Sequence, residues 1–210
     1  MYRINDTYEN TIIINKSEFI THLYRVNDVS EVEAILSSAR KKYYDATHNC
    51  YAYIIGDNQD IQKASDDGEP QKTAGAPMLD VLKKKNMTNI LAITTRYFGG
   101  ILLGAGGLVR AYSESVSEAL KLAKLYDISF VNSFKITLTY PGYNTLINIP
   151  YITITETSFT NEVIVIGYCD SNKFEGLMDD LYKNKINPQS LIDLGKSYLE
   201  VPIKWNKNWL

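Results

Sequence analysis

Residues 65–112 read SDDGEPQKTAGAPMLDVLKKKNMTNILAITTRYFGGILLGAGGLVRAY. The stretch is dense in glycine, and its charged residues sit beside the glycines rather than along a solvated helix face. Gly99, Gly100, Gly104, Gly106 and Gly107 fall within nine positions. Glycine is costly in regular structure and is used where the backbone turns sharply or is approached closely. Just before this run, residues 90–97 are apolar, β-branched and bounded by turn residues, so they are predicted as a buried strand. Just after it, Leu108, Tyr112, Val116, Ala119, Leu120 and Ala123 recur at helical spacing, to about Leu125. The order strand, glycine loop, helix aims free backbone N–H groups at one point, where an anion can bind.

Two arginines flank the loop. Arg96 ends the strand, and Arg110 is placed in the first turn of the helix, where the macrodipole disfavours a cation and an anion would offset it. Both are expected on one cleft with the backbone of 99–107, since forked guanidinium groups match carboxylate or phosphate oxygens. The alternative is structural: Arg96 and Arg110 pair with Asp66, Asp67 or Glu69 and hold the fold together. The loop is not a Walker A loop, because no Gly-Lys-Ser/Thr follows. It does not fit the dinucleotide fingerprint either, since Val109 stands where the third glycine belongs.

The run Asp66-Asp67-Gly68-Glu69-Pro70, then Thr73-Ala74-Gly75, then Arg96-Tyr97-Phe98-Gly99-Gly100, Leu103-Gly104 and Gly106-Gly107-Leu108-Val109-Arg110-Ala111-Tyr112 resembles the YigZ/Impact family. These motifs cover the first half of the chain. The second half is similar to the family's bacterial C-terminal domain in length and pattern. One departure stands out. Where the family often has Ser-Gly between the proline and Thr-Ala-Gly, this chain has Gln71 and Lys72.

With 210 residues, the chain suits one large domain or two small ones. It is 45% hydrophobic and 22% charged with a net charge of −2, the composition of an ordinary globular protein. Both halves are close to neutral, so nucleic-acid binding would need a local basic patch. No apolar run reaches membrane-spanning length. The first twenty residues carry Asp6, Glu9 and Glu18 and lack a secretory apolar segment, which predicts a cytoplasmic protein. Cys50 and Cys169 are expected to be free thiols.

Residues 11–14 and 19–26 are predicted as a hairpin around Asn15-Lys16-Ser17. Ser30 and Glu33 form a predicted capping box, opening a helix that ends in Arg40, Lys41 and Lys42. Residues 48–55 alternate as a strand with His48, Cys50 and Ala52 on one face and Tyr51, Tyr53 and Ile55 on the other. Two ligands do not make a structural zinc site, so His48 and Cys50 are expected to line the cleft instead. Residues 56–73 form a polar loop. Asp66, Asp67 and Glu69 within it either anchor the loop to backbone or hold Mg²⁺ with a phosphate. Thr73 is predicted to cap the next helix, with Pro77 in its first turn. Residues 127–133 are the predicted linker. Beyond it come a strand over 134–140, a short segment to Ile149, a hairpin of 152–159 and 163–169, an amphipathic helix through Phe174, Leu177, Met178, Leu181 and Tyr182, and a last strand within 191–203. Trp205, Trp209 and Leu210 read as a docking tail.

The resemblance implies an α+β fold. Residues 1–132 would form an Impact-type domain like domain 2 of ribosomal protein S5, and 133–210 a ferredoxin-like βαββαβ domain like the fifth domain of elongation factor G. The second domain's element order agrees with that topology. The family has no agreed enzymatic activity, and its eukaryotic members regulate translation through a ribosome-associated activator of a stress kinase. The resulting expectation is a translation-linked binding protein without a cofactor, with RNA, the ribosome or a ribosome-associated protein as partner. Its phosphate site would use Arg96, Gly99, Gly100, Gly104, Gly106, Gly107 and Arg110, with His48, Cys50, Asp66, Asp67, Glu69, Thr73, Tyr97 and Tyr112 lining the cleft. The alternative is a phosphate- or peptide-processing hydrolase using Mg²⁺ at Asp66, Asp67 and Glu69. Against it, the sequence has no HExxH motif and no nucleophile elbow. The oligomeric state is left open.

Overall fold

The computed structural model describes residues 1–203, so the tryptophan-rich end at 205–210 lies outside the described residues. Two compact units divide between Asp127 and Ile128, and Pro202 and Ile203 return to the first. Among the described residues, no helix is long and apolar enough to cross a membrane.

The first unit holds β1 (Tyr2–Ile4), β2 (Tyr8–Ile14), β3 (Ser17–Arg25), α1 (Val29–Lys42), β4 (His48–Ile55), β5 (Ile61–Ser65), α2 (Gly75–Lys84), β6 (Ile90–Tyr97), α3 (Gly104–Leu122) and the start of β7 (Leu125–Leu138). Its sheet runs β2-β3-β6-β4-β5, and every neighbouring pair is antiparallel. Alternate side chains go to opposite faces of a strand, and both faces here are covered by helices. On one face Val32, Leu36 and Ala39 of α1 pack on Tyr51, Tyr53, Ile55, Leu91 and Ile93. On the other, Met78 and Leu82 of α2 and Leu108, Tyr112 and Val116 of α3 pack on Phe19, Leu23, Cys50, Ala52, Ile54 and Ala92. Each large apolar side chain fully buried this way contributes about 1.5–3 kcal/mol. Double coverage is why residues 90–97 are apolar throughout instead of alternating.

The predicted hairpin closes through Asn15 and Lys16, both at positive φ, with Ile14 opposite Ser17. Three local expectations shift. The cap of α1 is Asp28, two residues before Ser30; its carboxylate accepts from Glu31 N at 2.9 Å and Ser30 Oγ at 2.6 Å. Asp28 takes the role because its extended backbone already aims the carboxylate at the first turn. The supposed loop of 56–73 contains β5, a mostly exposed edge strand paired to β4. The supposed linker of 127–133 is not a loop, since β7 runs straight through it.

The second unit comprises the rest of β7, α4 (Tyr140–Leu146), β8 (Ile152–Phe159), β9 (Val163–Asp170), α5 (Ser171–Phe174), α6 (Leu177–Lys183) and β10 (Ser190–Pro202). Its strands lie in the order β10-β7-β9-β8, with β7–β9 and β8–β9 antiparallel. The amphipathic helix predicted through Tyr182 is broken in two around Gly176. Phe134, Ile136, Val163 and Val165 of the sheet meet Leu146, Leu177 and Leu181 of the helices in a separate core. The protein is therefore α+β, with two sheets and, among the described residues, six helices.

Candidate functional site

Residues 66–75 fold as a tight loop between β5 and α2, and each carboxylate in it already serves as an acceptor. Asp66 Oδ1 accepts from Ala74 N at 3.0 Å and Gly75 N at 2.9 Å, and Oδ2 from Lys72 N at 2.8 Å. Asp66, far upstream in sequence, thus satisfies the free amides at the start of α2 and complements the helix dipole there. Thr73, predicted for that role, donates instead from Oγ1 to Pro70 O at 2.6 Å. Gly75 lets the helix start abut β5, because a Cβ there would lie 2.6 Å from Ser65 N. Asp67 Oδ2 accepts from Asn49 N at 2.7 Å, and its carbonyl accepts from His48 Nδ1 at 2.8 Å.

Glu69 is the centre of the cluster and is buried. Its Oε1 accepts from Arg96 Nη1 at 2.7 Å and from Tyr112 Oη at 2.8 Å, while His48 Nε2 lies 3.8 Å from Oε2. Arg96 is buried as well, with its guanidinium between the rings of Phe19 and Phe98 and Nη2 donating to Ser17 Oγ at 3.3 Å. The Cys50 thiol donates to Asp66 O at 2.9 Å and lies 3.4 Å from Tyr112 Oη. Burial pushes that thiol up to about 12, with Glu69, Asp67 and Asp66 adding to the rise. Tyr112 is likewise pushed far above the ordinary phenol range by burial and by Cys50 and Glu69 beside it. A thiol in this state is a small buried packing group and not a nucleophile.

The cluster brings together His48, Cys50, Asp66, Asp67, Glu69, Thr73, Arg96 and Tyr112. Tyr97 stands apart, donating to Asp45 Oδ1 at 2.9 Å. Arg110 also stands apart. It is exposed, it lies in the second turn of α3, and its side chain has no partner among the described residues. Arg96 therefore follows the structural alternative, and Arg110 does not share its environment. Among the described residues, no three of His, Cys, Asp and Glu group as metal ligands.

The glycine loop has two parts. Gly99 is packed so tightly that a Cβ would fall 2.0 Å from the Lys16 backbone, and its N–H donates to Ser17 Oγ at 3.2 Å. Gly104 and Gly106 open α3 on an exposed face with nothing within 4 Å of a Cβ. Among the described residues, no side chain caps this helix start. Phe98, Ile101, Leu102 and Val109 are exposed around it.

The Impact N-terminal domain matches residues 15–120, half of the chain and all of the cluster just described. The chain belongs to the Impact family. It is 54% identical over 119 residues to the IMPACT family member YvyE of Bacillus subtilis, covering 57% of this chain and 55% of that one. It is 46% identical over 110 residues to the IMPACT family member YigZ of Escherichia coli, covering 51% and 54%. The chain spans about half the length of these curated relatives. A crystal structure of a hypothetical protein, 30% identical, is similar across 89% of this chain and 95% of that one with a TM-score of 0.58.

The Glu69–Arg96 contact was legible only as one of several pairings. The Asp66 cap carried no local signal, because it reaches the start of α2 across eight and nine residues.

Proposed function

We propose that this Impact-family protein is a binding and regulatory protein of the translation apparatus, with a phosphate site of RNA or a nucleotide at the start of α3. One observation supports the reading most: among the described residues, no side chain caps the amides of the first turn of α3, which lie on an exposed face at glycines that permit close approach. Such a terminus favours an anion through its free N–H groups and the helix dipole. Arg110 is exposed one turn on and has no partner among the described residues, and it supplies the forked donor. Arg96, held by Glu69, sets the loop from beneath. The link to translation comes from family membership and from what the resemblance implies for its eukaryotic members. A hydrolase reading gains nothing from the cluster, where Asp66, Asp67 and Glu69 each accept hydrogen bonds from the protein and Cys50 stays a thiol.

The test is an NMR titration of the full chain with inorganic phosphate and a 5′-phosphorylated nucleotide. Saturable shifts at the amides of 104–107, weakened by Arg110→Ala, are expected. Saturable shifts confined to the 66–69 loop and dependent on added Mg²⁺ would favour the hydrolase instead.

A further inference from the structure

A groove of 640 Å³ runs along the other face of the sheet, between α1 and β5. Its volume lies within the range of about 300–1,000 Å³ usual for ligand sites. The floor is made by Tyr51 and Tyr53, whose rings lie parallel with centroids 6.4 Å apart. Both residues line the groove, and among the described residues their hydroxyls have no hydrogen-bond partner. The walls carry Arg40 and Lys41 from α1 and Lys63 from β5, with Glu33 as the one lining carboxylate. Lys41 and Lys63 form no ion pair among the described residues, and Arg40 Nη2 only approaches Asp67 Oδ1 at 4.0 Å. Tyr44, at the rim, is 84% exposed.

The helix dipole accounts for basic residues in the last turn of α1. It does not account for Lys63, which comes from a strand, nor for the ring of Tyr44 held out in water beside them. What an incoming ligand meets is three cations against one carboxylate, Glu33, together with tyrosine rings, Ser37 and the half-buried Val29 at one end. Of the aliphatic lining residues, Val32 and Leu36 are already covered, and Val29 alone is half-buried, so the groove offers no series of sockets for apolar anchors. A helical peptide needs such sockets at regular spacing. A basic channel with an exposed aromatic instead fits phosphates followed by a stacked base. We propose that the groove between α1 and β5 binds single-stranded nucleic acid, with Arg40, Lys41 and Lys63 on the phosphates and Tyr44 under a base. This claim stands on the groove and not on the glycine loop. The two surfaces are nevertheless joined through the turn after α1, where Thr47 Oγ1 accepts from Phe98 N at 3.2 Å.

The experiment is fluorescence anisotropy of a labelled oligouridine of about ten nucleotides with the full chain, across a salt series. Lys63→Glu, Lys63→Gln and Tyr44→Ala are compared with Lys84→Glu, the same charge change on exposed α2, and with Arg110→Ala. Thermal melting followed by circular dichroism confirms that each variant is folded. Tyr44→Ala is expected to weaken binding about fivefold or more, and Lys63→Gln to lower the salt slope by about one. Lys63→Glu should weaken binding well beyond Lys84→Glu. Equal losses from Lys63→Glu and Lys84→Glu would show a diffuse charge effect and overturn the site. Tighter binding of a polyglutamate peptide than of oligouridine would overturn it in favour of an acidic protein partner, and no binding of oligouridine would overturn it outright. Loss with Arg110→Ala alone would place the RNA on the glycine loop, overturning the groove while leaving the phosphate reading intact.

Discussion

Glu69 Oε1 accepts from Arg96 Nη1 at 2.7 Å, and both side chains are buried. Tyr112 donates to the same oxygen from α3. One carboxylate thus joins the loop before α2, the end of β6 and the helix beyond the glycine loop. The glycine loop, lying between Arg96 and Tyr112 in sequence, is held at both ends by this junction.

Breaking that junction should cost far more than removing the second arginine. Arg96→Ala leaves the Glu69 charge buried without its partner, a loss of about 3–5 kcal/mol. Arg110 is exposed and has no partner among the described residues, so Arg110→Ala should stay within about 0.5 kcal/mol of the parent. Urea denaturation of both variants measures the contrast. Equal small losses would show that Glu69 does not depend on Arg96.

Lys72 sits at φ 62, the left-handed region, and its N–H is fixed by Asp66. The resemblance has a glycine at this place. A side chain in that region costs about 1–2 kcal/mol, partly offset by the greater freedom glycine has when unfolded. Lys72→Gly should therefore raise stability by about 0.5–1 kcal/mol, read as a higher midpoint in urea. A lower midpoint would mean that the lysine side chain makes a compensating contact.

Burial pushes Cys50 up to about 12 and Cys169 up to about 11, the latter helped by Asp170. Both are buried and free. Only the thiolate reacts with disulfide reagents, so neither should label in the folded protein at mildly alkaline pH, and both should label in denaturant. Rapid labelling of Cys50 in the native state would reopen it as a reactive group.

The parts of this protein legible in its sequence are those set by short-range pattern. The strands at 48–55, 90–97 and 152–159 are legible because apolar runs or alternation mark them directly. The division of His48, Cys50 and Ala52 from Tyr51, Tyr53 and Ile55 follows from the same period of two. What escaped is non-local. β5 reads IQKAS, which looks like loop until β4 is beside it. The α1–β5 groove is non-local for the same reason, since Lys63 lines one groove with Arg40 only once that edge strand forms. Arg96 and Arg110 look equivalent in sequence. Strand pairing and burial separate them, turning the first toward Glu69 and leaving the second in solvent.

His22 is buried, with Nε2 2.7 Å from Glu9 Oε2 and 3.3 Å from the Tyr43 hydroxyl. Burial lowers its pKa below 6.5 and nearby Lys42 adds to the effect, while Glu9 opposes it. The unfolded chain then binds the proton more readily than the folded one. Stability should rise with pH through the window below 6.5, level off above it, and be lost as pH falls. His22→Gln should flatten that part of the curve in urea midpoints measured against pH. Stability rising toward acid through this window would mean that Glu9 dominates and holds the imidazolium.

Two glycines of the loop should respond oppositely to one added methyl group. At Gly99 a Cβ would lie 2.0 Å from the Lys16 carbonyl, a backbone contact that no rotamer change relieves. Gly99→Ala should therefore cost at least about 2–3 kcal/mol, the scale of overpacking a tight site. At Gly106 nothing lies within 4 Å, and the residue is helical. Alanine is the better helix former there by up to about 1 kcal/mol, so Gly106→Ala should leave stability unchanged or raise it. A methyl group on that exposed first turn also stands where an approaching anion would contact the amides. If glycine is retained for that approach, Gly106→Ala should weaken phosphate-dependent shifts in the NMR titration while the protein melts no lower. A variant that is more stable and binds phosphate as well as the parent would show that close approach at Gly106 is not what the loop provides.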